Sequence, residues 1–414
     1  MPDARIDGDR LWASLMEMAK IGATAKGGVN RQTLTDGDKQ SRDLFVEWCR
    51  QSGCSVRIDR LGNIFARRDG RDNTLAPVLA GSHLDTQPSG GKFDGAYGVL
   101  AGLEVIRALN DAGVETRRPV EAVSWTNEEG CRFTPAMAGS AAFAGAVAVD
   151  DVLTRADRDG LVFDDELGRI GYRGNEGPDP RDIAAYFELH IEQGPILEVQ
   201  RRPIGVVRGA QAQRWFDVEL TGRENHAGTT PMTARRDALL GASRIVEAVN
   251  RTGFAHAPDG RATVGQFDVL PNSRNTIPGH VLLTIDLRHP LEDALIAMIG
   301  EFEAAAQDIC DELDLEIEFR ETARIAAIEF DESCIAAVTA GADSLGLAHV
   351  DMISGAGHDA CNMALVAPTS MIFIPCEDGI SHNEIESATP EDCAAGADVL
   401  LNAVLELANR EDMK

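Results

Sequence analysis

The chain reads as an α/β protein interrupted by a smaller inserted domain, and three observations predict this. Short apolar runs alternate with amphipathic helices before residue 150. The middle then shows period-two strands in the order β-α-β-β-α-β. After about residue 325 the first pattern resumes. Alternating strands and helices favour a largely parallel sheet covered by helices.

Each element has its own signal. Arg10–Ile21 carries apolar residues at helical spacing, and Asp38–Cys54 is a second helix stopped at Gly53. Apolar runs at Ser55–Arg60, Asn63–Arg67 and Val78–Thr86 are strands. Gly98–Leu109 is a helix with Gly113 as its stop, and Val120–Thr126 is a buried strand. Arg214–Thr221 alternates as a strand, and Thr233–Asn250 is a helix entered through Pro231. Strands follow at Ala262–Leu270 and His280–Arg288, then helix Leu291–Leu313 and strand Leu315–Arg320. That order is the ferredoxin-like one. Helices Glu332–Leu345 and Asp359–Leu365, strand Ser370–Pro375 and helix Pro390–Ala408 complete the chain. The expected division is a discontinuous catalytic domain, 1–212 with 325–414, interrupted by a domain at 213–324.

Composition narrows the function. The 414 residues carry a formal charge of −28, which repels nucleic acid and anionic membrane surfaces. No apolar run reaches the ~18 residues of a membrane span. The start lacks the basic and apolar regions of a signal peptide. The eight cysteines include no C-x-x-C pair, so a reducing cytoplasm is expected.

The chemistry gathers at strand ends beside glycines. His83 and Asp85 lie in GSHLDT, two apart, so on a strand they share a face and the aspartate can orient a ligating imidazole. Asp94 follows in GGKFDGAYGV, where one carboxylate can bridge two cations. WTNEEG supplies Glu128 and Glu129, one to ligate and one to take a proton. His190 closes FELHIEQG, and His382 sits in GISHNEIE. His83, Asp94, Glu129, His190 and His382 make a dinuclear set suited to zinc, manganese, cobalt or nickel.

Six blocks in order, GSHLDTQPSGGKFDGAYGVLAGLE, WTNEEGCRF, ELHIEQGP, NHAGTTPM, NTIPG and GISHNEIE, resemble the hydantoinase/carbamoylase family. That family lies within the superfamily of dinuclear metal aminoacylases and carboxypeptidases. The resemblance implies hydrolysis of the carbamoyl C–N bond of N-carbamoyl amino acids, L-α-amino acids or β-alanine, to amino acid, carbon dioxide and ammonia. A water between two divalent ions would be the nucleophile and Glu128 its general base. Asp94 would bridge, with His83 and His382 completing one position and Glu129 with His190 the other, an assignment of pairs that the sequence leaves open. Asp85 would hold the His83 ring. His226 would polarise the scissile carbonyl from across a homodimer interface, and the inserted domain would serve as dimerisation and lid domain. Gln193, Asn275, Arg288 and Gly357 would contact a small anionic substrate. His358 is read as structural, and His256, His280, His289 and His349 as ordinary. Alternatives are an allantoate amidohydrolase, a dipeptidase or deacylase, and an inactive binding protein on the same fold.

Overall fold

The computed structural model describes residues 4–177 and 182–411. The chain forms two compact units, Met1–Gly209 with Glu329–Lys414, and Ala210–Ile328.

The first unit opens with helices α1 (Gly8–Met18) and α2 (Asp36–Gln51), the latter capped by the Thr35 side chain. Strands β1 (Ser55–Ile58), β2 (Ile64–Arg68) and β3 (Val78–His83) follow, then helix α3 (Ala96–Asp111) and β4 (Val120–Trp125). Three short helices, α4 (Ala138–Phe143), α5 (Val149–Leu153) and α6 (Phe163–Ile170), precede β5 (Ala185–Ile191), α7 (Ile196–Gln200) and β6 (Ile204–Ala210).

The second unit runs β7 (Ala212–Thr221), β8 (Asn225–His226), α8 (Ala238–Ala255), β9 (Arg261–Leu270), β10 (Thr276–Ile277), β11 (His280–His289), α9 (Glu292–Glu312) and β12 (Glu316–Ile325). The chain then completes the first unit. It adds β13 (Ile328–Glu329), α10 (Glu332–Ser344), β14 (His349–Ser354), α11 (Asp359–Met363), β15 (Thr369–Ile374) and α12 (Pro390–Asn409).

The large sheet has the order β1-β2-β4-β3-β5-β15-β6-β13, with β14 on β6. Its centre, β4-β3-β5-β15, is parallel, while β1, β2 and β6 pair antiparallel. All residues of β3, β4, β5 and β15 are buried, as strands covered on both faces must be. Their C-terminal ends emerge at one edge, the place where open parallel sheets put their sites.

The second unit is a four-stranded antiparallel sheet, β12-β7-β11-β9, with the split βαβ order of a ferredoxin-like fold. Its inner face buries Phe216, Val218, Leu220, Leu283 and Ile285 against Ile245 of α8 and Phe302 of α9. The expected helix from Thr233 starts later. Met232–Ala234 is a single 3-10 turn, and Asp237, accepting the backbone N–H groups of Leu239 and Leu240, starts α8. The earlier start rested on entry through Pro231, and the aspartate cap overrides it. The strand expected at Leu315–Arg320 continues five residues further, to Ile325, along β7, with a register shift between Glu321 and Ala323.

Candidate active site

Two strand ends set the first half of the site. His83 ends β3 and His190 falls within the last two residues of β5, and these strands are neighbours in the sheet. The two imidazoles lie 6.1 Å apart, both buried. Asp94 comes between them from the loop before α3. Its Oδ1 is 3.1 Å from His190 Nε2 and 3.7 Å from His83 Nε2. Gly95 follows with φ +63°, and any Cβ there would lie 2.3 Å from the His83 ring. Glycine is required for this close approach.

Loops set the second half. Asp94 Oδ2 is 3.3 Å from His382 Nε2, which is 3.4 Å from Glu129 Oε2. The ligand atoms thus form two groups, His83 with Asp94 and His190, and Asp94 with Glu129 and His382. Asp94 offers one oxygen to each. This corrects the expected pairing. Adjacency of β3 and β5 puts His83 with His190, and His382 shares its group with Glu129.

The donor chemistry fits two divalent cations. His83 Nδ1 donates to the Asp85 carbonyl at 2.8 Å, and His190 Nδ1 to the Ile191 carbonyl at 2.9 Å. Each ring therefore turns its Nε2 lone pair toward Asp94. Gly95 N–H also donates to His190 Nε2. Lone pairs facing a carboxylate need a positive charge between them, a proton or a metal ion. The electrostatics agree. Burial would lower His190, yet its hydrogen bond to Asp94 and that residue's charge raise it to about 9. The hydrogen bond to Asp94 raises His382 to about 9 against its desolvation. Burial would raise Asp94, but His190 and His382 hold it well below the ordinary carboxylate range. Nitrogen and carboxylate donors suit a first-row divalent ion.

Glu128 reaches from the turn after β4, with Oε2 3.6 Å from His83 Nε2, outside both ligand groups. Burial first, then the charges of Asp359 and Glu129, push its carboxyl well above the usual range. Glu129 is held by Gln87, whose backbone N–H and side-chain amide donate to it at 3.0 and 2.6 Å. Burial, then Asp94, push Glu129 up to about 7.

Asp85 takes a different part from the expected one. Its carbonyl, not its carboxylate, orients the His83 ring; the carboxylate is 4.0 Å from Nδ1. Instead the carboxylate accepts the Thr33 hydroxyl at 2.7 Å and the backbone N–H groups of Glu128 and Glu129 at 3.3 Å each. It braces the Glu-Glu turn. Gln193 sits within the cluster, its amide donating to Asp94 Oδ2 at 3.1 Å and to Ser381 Oγ at 3.0 Å. Gly357 lies against Met137. His358 is buried with its ring 4.7 Å from His190 and its Nε2 at 3.1 Å from Ser354 Oγ, and burial holds it neutral. Three non-glycine residues here are left-handed, Asn127, Gln193 and His382, each at a cost of about 1 kcal/mol. Such strain gathers where a side chain must be aimed.

In the second unit, β8 pairs with β10, placing His226 opposite Thr276, and Ala227 N–H donates to the Asn275 carbonyl at 2.9 Å. The NHAGTTPM and NTIPG motifs are therefore one local structure. His226 is exposed, and its Nδ1 accepts the N–H groups of Gly228 and Thr229, so Nε2 carries the proton and points a donor outward. Arg288 does not join them. It pairs with Asp286 at 2.7 Å, eight residues and about 27 Å along β11 from His280. Arg288 thus lies toward the opposite end of β11 from His280, the end at which β10 enters the strand.

Motif reading missed Gln87, Thr33, Ser381 and Glu386. Ser381 and Glu386 stand inside GISHNEIE, so that block carried the signal. Burial and the nearby Asp94 charge push Glu386 up to about 7.

Residues 79–406 match peptidase family M20/M25/M40. An N-carbamoyl-L-amino-acid amidohydrolase of Rhizobium meliloti is 48% identical over 98% of this chain and 97% of its own. An allantoate amidohydrolase of Escherichia coli (strain K12) is 36% identical over 94% of this chain and 96% of its own. Among solved structures, an amidase of the hydantoinase/carbamoylase family from Burkholderia multivorans superposes with a TM-score of 0.95. It is 56% identical and covers 99% of this chain and 100% of its own. The chain belongs to peptidase family M20/M25/M40 and, within it, to the hydantoinase/carbamoylase amidohydrolases.

Proposed function

We propose that the chain hydrolyses the carbamoyl C–N bond of N-carbamoyl amino acids, releasing the amino acid, carbon dioxide and ammonia. The observation that carries this is the pair of ligand groups sharing Asp94, with Glu128 free beside them. The 48% identity to an N-carbamoyl-L-amino-acid amidohydrolase supports the substrate class. L-α-amino acids and β-alanine are both within it.

His83, Asp94 and His190 would hold one divalent ion, and Asp94, Glu129 and His382 a second; zinc, manganese, cobalt and nickel all suit these donors. Such ions supply Lewis acidity toward water and the carbamoyl oxygen. Glu128 takes the proton of the attacking water and returns it to the leaving nitrogen. Its raised carboxyl suits a group that both accepts and donates. The outward Nε2–H of His226 hydrogen-bonds the carbonyl oxygen as charge develops there. Arg288 pairs the substrate carboxylate with its planar fork, exchanging Asp286 for it, while Asn275 and Gln193 orient the remainder.

Within this reading the active form is a homodimer, with the second unit as dimerisation and lid domain. The roughly 27 Å from His280 to Arg288 along β11 supports it, because His226 pairs with β10, which precedes the His280 end. No described helix is long and apolar enough to cross a membrane. All eight cysteines are free thiols, as a reducing compartment would keep them.

A second reading is allantoate hydrolysis, favoured by relatives of that name at 36% and 33% identity. Ammonia release from N-carbamoyl-L-amino acids, N-carbamoyl-β-alanine and allantoate, after reconstitution with each ion, separates the two. We expect turnover of the carbamoyl amino acids to exceed that of allantoate. The reverse order would replace the first reading with the second.

A further inference from the structure

We propose that Glu386 is a positioning residue that clamps the Asp94 loop to the His382 loop and so sets the loop-borne cation position. The inference rests on the two-cation reading above and adds to it a residue that touches neither ligand position.

Glu386 is 4% exposed. A carboxylate so buried must find donors. One oxygen accepts the backbone N–H groups of Phe93 and Asp94, at 2.9 and 3.1 Å. The other is 3.1 Å from the Ser381 hydroxyl. The first pair fixes the backbone that carries the shared carboxylate. The second contact fixes the residue directly before His382. One side chain therefore ties together segments 287 positions apart, the separation of Asp94 and Ser381.

Ser381 closes the circuit, because its Oγ is also 3.1 Å from Asp94 Oδ2. A hydroxyl has a single proton, and two carboxylates compete for it. With Oδ2 engaged by a cation, the proton belongs to Glu386. The clamp then tightens as the position fills. The site is built around this side chain. A Cβ on Gly91 would lie 2.0 Å from Glu386 Cδ, so the bare glycine in GGKFD leaves its room.

The strand-end position depends on Glu386 only through Asp94, since β3 and β5 hold His83 and His190. The loop position depends on it twice, through Asp94 and through Ser381. Removal of the clamp must therefore cost the second ion before the first.

The test equilibrates full-length protein with cobalt(II), dialyses at graded free cobalt, and follows ions per chain with the visible absorption band. Wild type is expected to hold two ions. Glu386→Ala should hold one tightly, with the second weakened about 10–100-fold. Glu386→Gln keeps an oxygen for the two backbone donors and a polar group toward Ser381. It should restore the second ion to within about tenfold of wild type. A general packing role would not give loss of one ion with rescue by the amide. Two ions at wild-type affinity in Glu386→Ala, or equal losses in the Ala and Gln variants, would overturn the clamp. If Glu386→Ala does not fold, Ser381→Ala removes the hydroxyl that joins the loops, with Gln193→Ala as the control for its amide contact. A weakened second ion there supports the clamp, and wild-type affinity for both overturns it. A wild-type chain that takes up no cobalt would overturn the two-cation reading and the clamp together.

Discussion

The two halves of the candidate centre are built in opposite ways. His83 and His190 are 2% and 1% exposed, on buried neighbouring strands of the sheet. His382 is 51% exposed, left-handed, and carried on a loop with Glu129 on another. Sheet hydrogen bonds fix the first pair at no further expense of design. The second pair needs dedicated partners, Gln87 for Glu129 and Ser381 with Glu386 for the His382 loop. Rigid elements place ligands through their backbone, whereas loops place them through extra side chains.

The strongest challenge to this picture concerns the group that belongs to neither half. Glu128→Gln keeps shape and removes the proposed base. We expect kcat to fall by about 10²–10⁴-fold with bound metal unchanged at two ions, since general acid–base transfer contributes that much. An ammonia-release assay with metal analysis on the same sample reads both. Near-normal turnover would return Glu128 to a structural part.

The halves should also differ in stability. His190→Ala removes the buried partner 3.1 Å from Asp94 Oδ1 and leaves that oxygen only His83 at 3.7 Å, at about 3 kcal/mol. His382→Ala removes a half-exposed partner, worth less than about 1 kcal/mol. Thermal melts of the metal-free variants measure this. Equal losses would erase the distinction between sheet-borne and loop-borne groups.

Asp85→Asn probes the brace beneath both. It keeps the carbonyl that orients His83 but weakens acceptance from Thr33, Glu128 and Glu129. Turnover should drop about 10–100-fold. The His83 ring should stay in place, so metal content should remain near two. Loss of the strand-end ion would show that the carboxylate orients the ring after all.

Most strand-end residues were legible because parallel strands read as continuous apolar runs and the chemistry follows directly after them. The pairing of ligands was not legible. It depends on β3 lying next to β5, a strand order that nothing local in either segment encodes. The role of Asp85 was misjudged for a related reason. A same-face argument holds only while the strand continues, and β3 stops at His83. The start of α8 was misplaced because the reading entered the helix through Pro231, whereas the Asp237 side chain caps it at Ala238. Glu386 went unnoticed because its partners lie 292 and 293 positions away.

The smallest expected effect tests what makes a histidine–carboxylate pair functional. His349 Nε2 lies 3.1 Å from Asp343, the same separation as His190 from Asp94. Distance therefore cannot distinguish them. Exposure does, since the side chains of His349 and Asp343 are 23% and 69% exposed against 1% and 4% for the buried pair. Water screens the first pair and solvates whichever partner remains. His349→Ala should shift stability by less than about 0.5 kcal/mol and leave kcat and bound metal unchanged. A change in metal content would mean that proximity alone suffices, and the contrast between buried and exposed pairs would lose its force.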